Sequence, residues 1–310
     1  MKRNTALIIL CMVAFVAVAI FVRTPTANAD VGPKPSINIT FKNLGDELCY
    51  GTVLSQCVST GPHSAYAPDE GYDYKNLGWY DSNYYDNEDY HNEEVERIWH
   101  VFADYDDADG YYFLQLWWKL GGEVNQIHWG YYPPYSFKVL LYYPESETYI
   151  TSEIYERYAF DSYFTVDMNG VDVTLSGTQL TLDKNYDYLG EAVGLLCRIA
   201  LTILIELLIA LLFRMKGRKV IVTVFVVNAA TQIALNVALN LIYYFSGALT
   251  YLIFFALLEI VVVIVEAVVY SLLLRKQGVP IWKSILYAVV ANAVSAVAGF
   301  YLAKWLPGMF

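Results

Sequence analysis

Four polar side chains in the last 120 residues fall at nearly one depth in four different apolar stretches. Glu206 precedes Arg214 by 8 positions, Glu266 precedes Arg275 by 9, Asn228 follows Lys219 by 9, and Asn292 follows Lys283 by 9. If each basic residue marks a membrane edge, these side chains sit about 12 to 14 Å inside, at roughly 1.5 Å per helical residue. Polar groups at such depth are costly and mark bundle-interior sites. Two desolvated carboxylates beside two amides, with no base in the layer, should not both stay ionised: one takes a proton, or a cation binds between them. The expected chemistry is a proton- or cation-responsive intramembrane site of Glu206, Glu266, Asn228 and Asn292, which Gln232 and Ser295 extend along the same faces. A bound cation is the only cofactor the pattern suggests.

A second polar layer lies further out. Arg198 precedes Arg214 by 16 positions, Glu259 precedes Arg275 by 16, and Asn236 follows Lys219 by 17. Glu259 and Glu266 are seven apart and so lie within about 20° on one helix face. The spacing predicts that Arg198 neutralises Glu259 and that Asn236 adds a hydrogen bond. A structural reading competes with the functional one, because amides and hydroxyls also join membrane helices through hydrogen bonds of about 1 kcal/mol each. Enzymatic readings find fewer residues. The membrane stretches hold no His, no HExxH and no Asp, and Ser295 has no adjacent base, so a glutamate-based membrane enzyme ranks behind binding and transport.

The elements that must position these residues are four apolar stretches, about 190–213, 220–245, 248–274 and 281–306, each long enough to span a bilayer. The connection from Arg214 to Lys219 holds four basic residues, and Arg275, Lys276 and Lys283 flank the later one. The connection at Ser246-Gly247 holds none. This asymmetry places the basic connections in the cytoplasm and the C-terminus outside. At the other end, Lys2, Arg3, the apolar run Ala6 to Val22 and the small residues Ala27-Asn28-Ala29 read as an export signal over 1–29, with an uncleaved anchor as the alternative. Either reading exports residues 30–189, which makes this a multi-pass cell-membrane protein.

Residues 30–189 carry 27 acidic and 8 basic residues and 22 of the 28 tyrosines. Such charge excludes nucleic acid and favours cations, basic peptides or neutral ligands such as carbohydrate. Alternating segments at Ser36–Phe41, Cys49–Gln56, Tyr111–Trp118, Phe137–Tyr142, Tyr149–Ile154, Tyr158–Val166 and Val171–Leu175 predict an antiparallel β-sandwich. One helix interrupts it, capped by Asn92 and carrying Val95, Ile98, Trp99 and Phe102 at helical spacing. A long polar loop runs from about Pro62 to His91, with Tyr72, Tyr74, Trp79, Tyr80, Tyr84 and Tyr85 as outward ligand-binding candidates. Cys49 and Cys57 are disulfide candidates, whereas Cys197 reads as a small apolar membrane residue. Asp104, Asp106, Asp107 and Asp109 invite a calcium site, but with Gly110 as the loop glycine the EF-hand register fails, which favours a turn. Adjacent Trp117 and Trp118 must face opposite sides of a strand, so one could be accessible. His63, His91, His100 and His128 have no metal-ligand spacing.

Asp30-Val31-Gly32-Pro33-Lys34-Pro35-Ser36, Asp109-Gly110-Tyr111-Tyr112-Phe113 and Trp129-Gly130-Tyr131-Tyr132-Pro133-Pro134 resemble segments of a family of membrane proteins from Clostridia-like Gram-positive bacteria, with an exported domain and four C-terminal transmembrane helices. The resemblance implies a bacterial cell-membrane location and brings neither an established activity nor a catalytic residue. The resulting expectation is a non-enzymatic binding or sensing protein. Its exported domain receives a ligand or partner, and its bundle couples this to the bilayer, a membrane-protein partner or a cation. A small cation- or proton-coupled transporter, or a subunit of one, is the alternative.

Overall fold

The computed structural model describes residues 32–61, 63–64 and 93–305. The expected signal segment 1–29, the aromatic candidates Tyr72, Tyr74, Trp79, Tyr80, Tyr84 and Tyr85, His91 and the expected cap Asn92 lie outside the described residues. Two compact units divide the chain, one spanning Lys34–Tyr186 and the other running from Asp187 onward.

The first unit is a β-fold built on two principal sheets. Its strands are β1 (Ser36–Lys42), β2 (Cys49–Ser55), the short pair β3 (Ser59–Thr60) and β4 (His63–Ser64), β5 (Tyr112–Leu120), β6 (Gln126–Trp129), β7 (Ser136–Tyr143), β8 (Thr148–Ser152), β9 (Tyr155–Glu156), β10 (Asp161–Asp167), β11 (Gln179–Leu180) and β12 (Leu182–Lys184). One sheet has the order β12-β10-β1-β6, and the other β11-β8-β7-β2-β5 with β9 also on β7. Ile37, Ile39 and Phe41 alternate inward from β1, and Phe137, Val139, Leu141 and Tyr143 do so from β7, so one apolar core lies between the sheets. The opposite face of β7 presents Leu140 and Tyr142 to helix α1 (Glu93–Ala103), which buries Ile98, Trp99 and Phe102 against them. The larger sheet is therefore covered on both sides, which explains why β2 is buried at every position.

Two expectations about the sheets are corrected. Pairing is mixed rather than purely antiparallel: β1 runs parallel to β10, and β11 parallel to β8. The β1 and β10 segments are far apart in sequence, which allows a crossover, and alternation says nothing about strand direction. Val171–Leu175 forms turns instead of a strand, while β3, β4, β6, β9, β11 and β12 have no counterpart among the expected segments. The candidate disulfide is also absent: Cys49 and Cys57 are both free, one buried and the other exposed. Strand β2 occupies most of the interval, and at about 3.3 Å per residue it holds the two far beyond disulfide reach.

Trp117 and Trp118 do take opposite faces, and both are half-buried. Trp117 meets the Tyr50 ring at 5.5 Å, and Trp118 meets Trp129 at 5.9 Å across the inter-sheet core.

The second unit contains three long apolar helices, not four: α2 (Tyr188–Leu212), α3 (Arg218–Leu274) and α4 (Ile281–Trp305). The stretches expected at 220–245 and 248–274 are joined within α3, a helix of 57 residues whose backbone leaves helical geometry at Gly247 (φ 76°, ψ 179°). A straight helix of that length would reach about 86 Å, against roughly 30 Å of bilayer core. Contacts between its halves show the fold-back: Thr231 Oγ1 donates to Glu266 Oε1 at 2.6 Å, and the Tyr270 hydroxyl to Asn228 Oδ1 at 2.6 Å. Both basic connections close their preceding helix with a left-handed residue, Arg214 (φ 52°) and Gly278 (φ 86°).

The conformation at Gly247 belongs essentially to glycine, so Gly247→Ala should lower stability by about 1–3 kcal/mol. Gly299→Ala, where an added Cβ meets nothing within 4 Å, should be neutral or stabilising by up to about 1 kcal/mol. Reversible unfolding in mixed micelles would compare the two variants. For the thiols, burial pushes Cys49 up to about 12, whereas Cys57 is exposed. In a Cys11→Ser, Cys197→Ser background, maleimide at pH 8 should label Cys57 in the native protein and Cys49 only on unfolding. Because the folded value is the higher one, the Cys49 contribution to stability is complete below about pH 8.5 and is lost as pH rises toward 12.

Candidate functional site: a buried carboxylate layer

Helix packing brings the four depth-matched residues into one layer. Glu206 comes from α2, Asn228 from the first arm of α3, Glu266 from its second arm and Asn292 from α4, and all four are buried. Their backbones approach closely because small side chains, Ala210, Ala288 and Ala291, are buried at the neighbouring positions. Thr231, Gln232, Asn236 and Ser295 are buried with them.

Glu266 is the best-satisfied member. Its Oε1 accepts from Thr231 Oγ1 at 2.6 Å, and its Oε2 accepts from Asn292 Nδ2 at 2.7 Å. The Asn292 amide also donates to the Ala288 carbonyl at 2.9 Å, and Ser295 Oγ to the Asn292 carbonyl at 3.0 Å. Glu206 is the opposite case: Asn228 and Ser295 lie beside it, but neither reaches full hydrogen-bond geometry, and both its carboxyl oxygens are without a partner. Leaving buried polar atoms unpaired costs about 1–3 kcal/mol each, more when charged. Among the described residues no ion pair reaches either carboxylate.

The layer is closed on two sides by apolar packing. Val220, Val224, Val227, Val269, Leu274, Tyr287 and their neighbours form a cluster toward the basic connections. Leu235, Ala238, Leu239, Ile242, Leu258 and Val262 form a second cluster toward Gly247. A polar slab between two apolar seals has a low effective dielectric, which strengthens every electrostatic interaction inside it.

The outer layer differs from its expected pairing. Arg198 donates to Asn240 Oδ1 at 2.8 Å instead of meeting Glu259. Asn240 lies one turn beyond Asn236 on the same face of α3, so it occupies the depth that the guanidinium reaches. Asn236 turns inward along its own helix, donating to the Gln232 carbonyl at 2.9 Å and to Gln232 Oε1 at 3.2 Å. Glu259 is half-buried, one heptad from Glu266.

Two tyrosines complete the site from positions that read in the sequence as apolar bulk. Tyr270 donates to Asn228, and Tyr287 donates to the Glu206 backbone carbonyl at 3.1 Å; their rings meet edge-on at 5.4 Å. A signal was available: Tyr270 lies four residues after Glu266, on its face, and a mid-membrane phenol needs a hydrogen-bond partner.

In the β-unit the acidic run around Asp107 is organised by a lysine. Lys138 shares the face of Leu140 and Tyr142 on β7, and its Nζ meets Asp107 Oδ1 at 2.5 Å and Asp109 Oδ2 at 3.0 Å. Asp107 Oδ2 accepts from the backbone N–H groups of Asp109 and Tyr111 at 3.1 and 3.2 Å. The carboxylate a calcium ion would recruit already serves an ammonium and a turn, while Asp104 and Asp106 point to solvent. Burial lowers the Lys138 pKa, but its bonds to Asp107 and Asp109 outweigh this and hold it above the usual range. Among the described residues no group of three or more His, Cys, Asp or Glu is arranged to hold a metal ion.

Comparison with protein-family models, curated proteins and solved structures returns no match. Function must therefore be read from the geometry itself.

Lys138→Met leaves the Asp107 carboxylate buried without its counter-ion. Urea unfolding should show a loss of about 3–5 kcal/mol, with the half-exposed Asp109 adding at most about 1 kcal/mol.

Proposed function

We propose that the chain is a multi-pass membrane protein that senses rather than transports. An exported β-domain receives a ligand or partner, and a bundle of four crossings, two of them the arms of α3, responds through its buried carboxylates. What carries this reading is the inner layer: two glutamates without a counter-ion, held between apolar clusters. A group sealed in this way serves as a state-dependent element better than as a conduit, because its ionisation changes the packing of several helices together. The orientation rests on charge. Arg214, Lys216, Arg218, Lys219, Arg275, Lys276 and Lys283 gather at one end of the helices, whereas Tyr188, Tyr243, Tyr244 and Tyr251 gather near Gly247. A basic inner edge and an aromatic outer edge are the usual membrane pattern. That pattern supports an orientation with the β-domain and the C-terminus outside, where an acidic, tyrosine-rich domain suits a cationic, peptide or carbohydrate ligand.

A second reading, a small proton- or cation-coupled transporter, draws on one observation. The apolar cluster nearer Gly247 is assembled from α3 alone, so the seal on that side does not depend on α2 or α4. Proteoliposomes holding the full chain and an internal proton- or sodium-sensitive dye separate the two readings. The sensor should show flux no greater than protein-free vesicles. Sustained flux that disappears when Glu206 and Glu266 are both replaced by Gln would establish the transporter instead.

A further inference from the structure

Hydrogen-bonding capacity in the inner layer does not close when both carboxylates are ionised. Four buried side-chain atoms lack partners there: the two carboxyl oxygens of Glu206, Asn228 Nδ2 and Asn292 Oδ1. The hydrogen bonds each amide makes leave one end of it free. The Tyr270 hydroxyl donates to Asn228 Oδ1 at 2.6 Å, which turns Nδ2 the other way. Asn292 Nδ2 donates at 2.7 Å to Glu266 and at 2.9 Å to the Ala288 carbonyl, two groups that accept, so its Oδ1 is the free end. Three acceptors thus share one donor. Glu206 lies beside Asn228 and Ser295, and Ser295 stands one turn from Asn292 on α4, so the four atoms belong to one buried layer.

One added proton resolves the mismatch. A neutral carboxyl has a hydroxyl that donates and a carbonyl that accepts. Asn228 Nδ2 then has the Glu206 carbonyl to donate to, and the Glu206 hydroxyl has Asn292 Oδ1. We propose that Glu206 is a proton-binding site whose neutral carboxyl bridges Asn228 and Asn292, completing a hydrogen-bonded chain from Tyr270 through Asn228, Glu206 and Asn292 to Glu266. The two glutamates play different parts. Glu266 already accepts on both oxygens, which suits a permanent carboxylate, whereas Glu206 has no donor and takes the exchangeable proton.

The bridge ties α2 to α4 and to both arms of α3. Loss of the proton removes the donor to Asn292 Oδ1 and sets a second negative charge against Glu266. Ionised Glu206 could draw on Ser295 only if that hydroxyl left the Asn292 carbonyl, and Asn292 Oδ1 would still be unpaired. The bridge therefore opens as pH rises, and α2 loosens from the bundle. The titratable groups around Glu206 are Glu266 and Tyr270 of the second arm, with Glu259 two turns away, and Tyr287 of α4. The first arm contributes only the neutral Asn228, Thr231 and Gln232, and Arg198 on α2 is engaged by Asn240. A hard cation is the competing occupant, but such ions take six or more oxygens, and three unpartnered ones face this locus.

This inference deepens the sensing reading, and its test is separate from flux. Difference infrared spectra of the full chain in nanodiscs, recorded against pH, should show the carbonyl stretch of a hydrogen-bonded carboxylic acid at neutral pH and its loss at high pH. The band should vanish in Glu206→Gln and persist in Glu266→Gln. Glu206→Gln keeps a donor for Asn292 and an acceptor for Asn228, so it should melt near wild type at neutral pH while its melting depends less on pH than that of wild type. Glu266→Gln turns an amide N–H toward donors and should melt lower. A band that survives Glu206→Gln overturns the proposal. So does a wild-type melting temperature that rises with sodium chloride but not with matched choline chloride, if Glu206→Gln abolishes the rise; that result assigns the locus to sodium. Wild type against Glu206→Gln decides the matter even if the Glu266 variant does not fold.

Discussion

Inside an apolar helix bundle there is no water to close hydrogen bonds, so each polar side chain must find its partner on another helix or on its own backbone. Glu266 shows how much of the membrane unit answers to that constraint. Its two oxygens draw Thr231 from the first arm of α3 and Asn292 from α4. For Thr231 and Glu266 to meet, α3 must reverse between them, and Gly247 supplies the one conformation in α3 that lets it do so. Asn292 reaches Glu266 because Ala288 and Ala291 keep α4 close. The hairpin, the small residues and the polar layer are thus one arrangement seen from three sides.

The β-unit handles its buried charge by the same physics with a different result. Lys138 sits on a sheet face covered by α1, where a lone ammonium would be costly, and Asp107 supplies a counter-charge that two backbone N–H groups hold in place. That site is complete in itself and stabilises the turn between α1 and β5. The membrane layer is incomplete, because Glu206 has neither a base nor a donor. The contrast is what separates a structural cluster from a site with something left to bind.

Much of the membrane layer was legible because helical rise is fixed at about 1.5 Å per residue and basic residues marked the edges, so depth could be counted directly. Rotation about each helix axis could not be counted, since it depends on which ridges pack into which grooves. Arg198 therefore found Asn240 in place of Glu259, and Tyr270 and Tyr287 joined the polar network from positions that look apolar in the sequence. In the β-unit, apolar and aromatic runs bounded by turn residues located β1, β2, β5, β7, β8 and β10 within a few residues, because such runs mark a strand whether one face is buried or both. The two- and three-residue strands β9, β11 and β12 are too short to alternate detectably.

By itself the sequence determined the division into an acidic, aromatic β-unit and an apolar helical unit, the depth of Glu206, Asn228, Glu266 and Asn292, and the near-absence of balancing charge around them. These are matters of composition and local periodicity, which short-range chemistry sets. Tertiary structure alone decided that β1 pairs parallel to β10, that two apolar stretches fold back on each other at Gly247, that Cys49 and Cys57 stay apart, and that Glu266 is satisfied while Glu206 is not. Each of those outcomes depends on which distant side chains meet, and packing sets that only once all the helices and strands are in place.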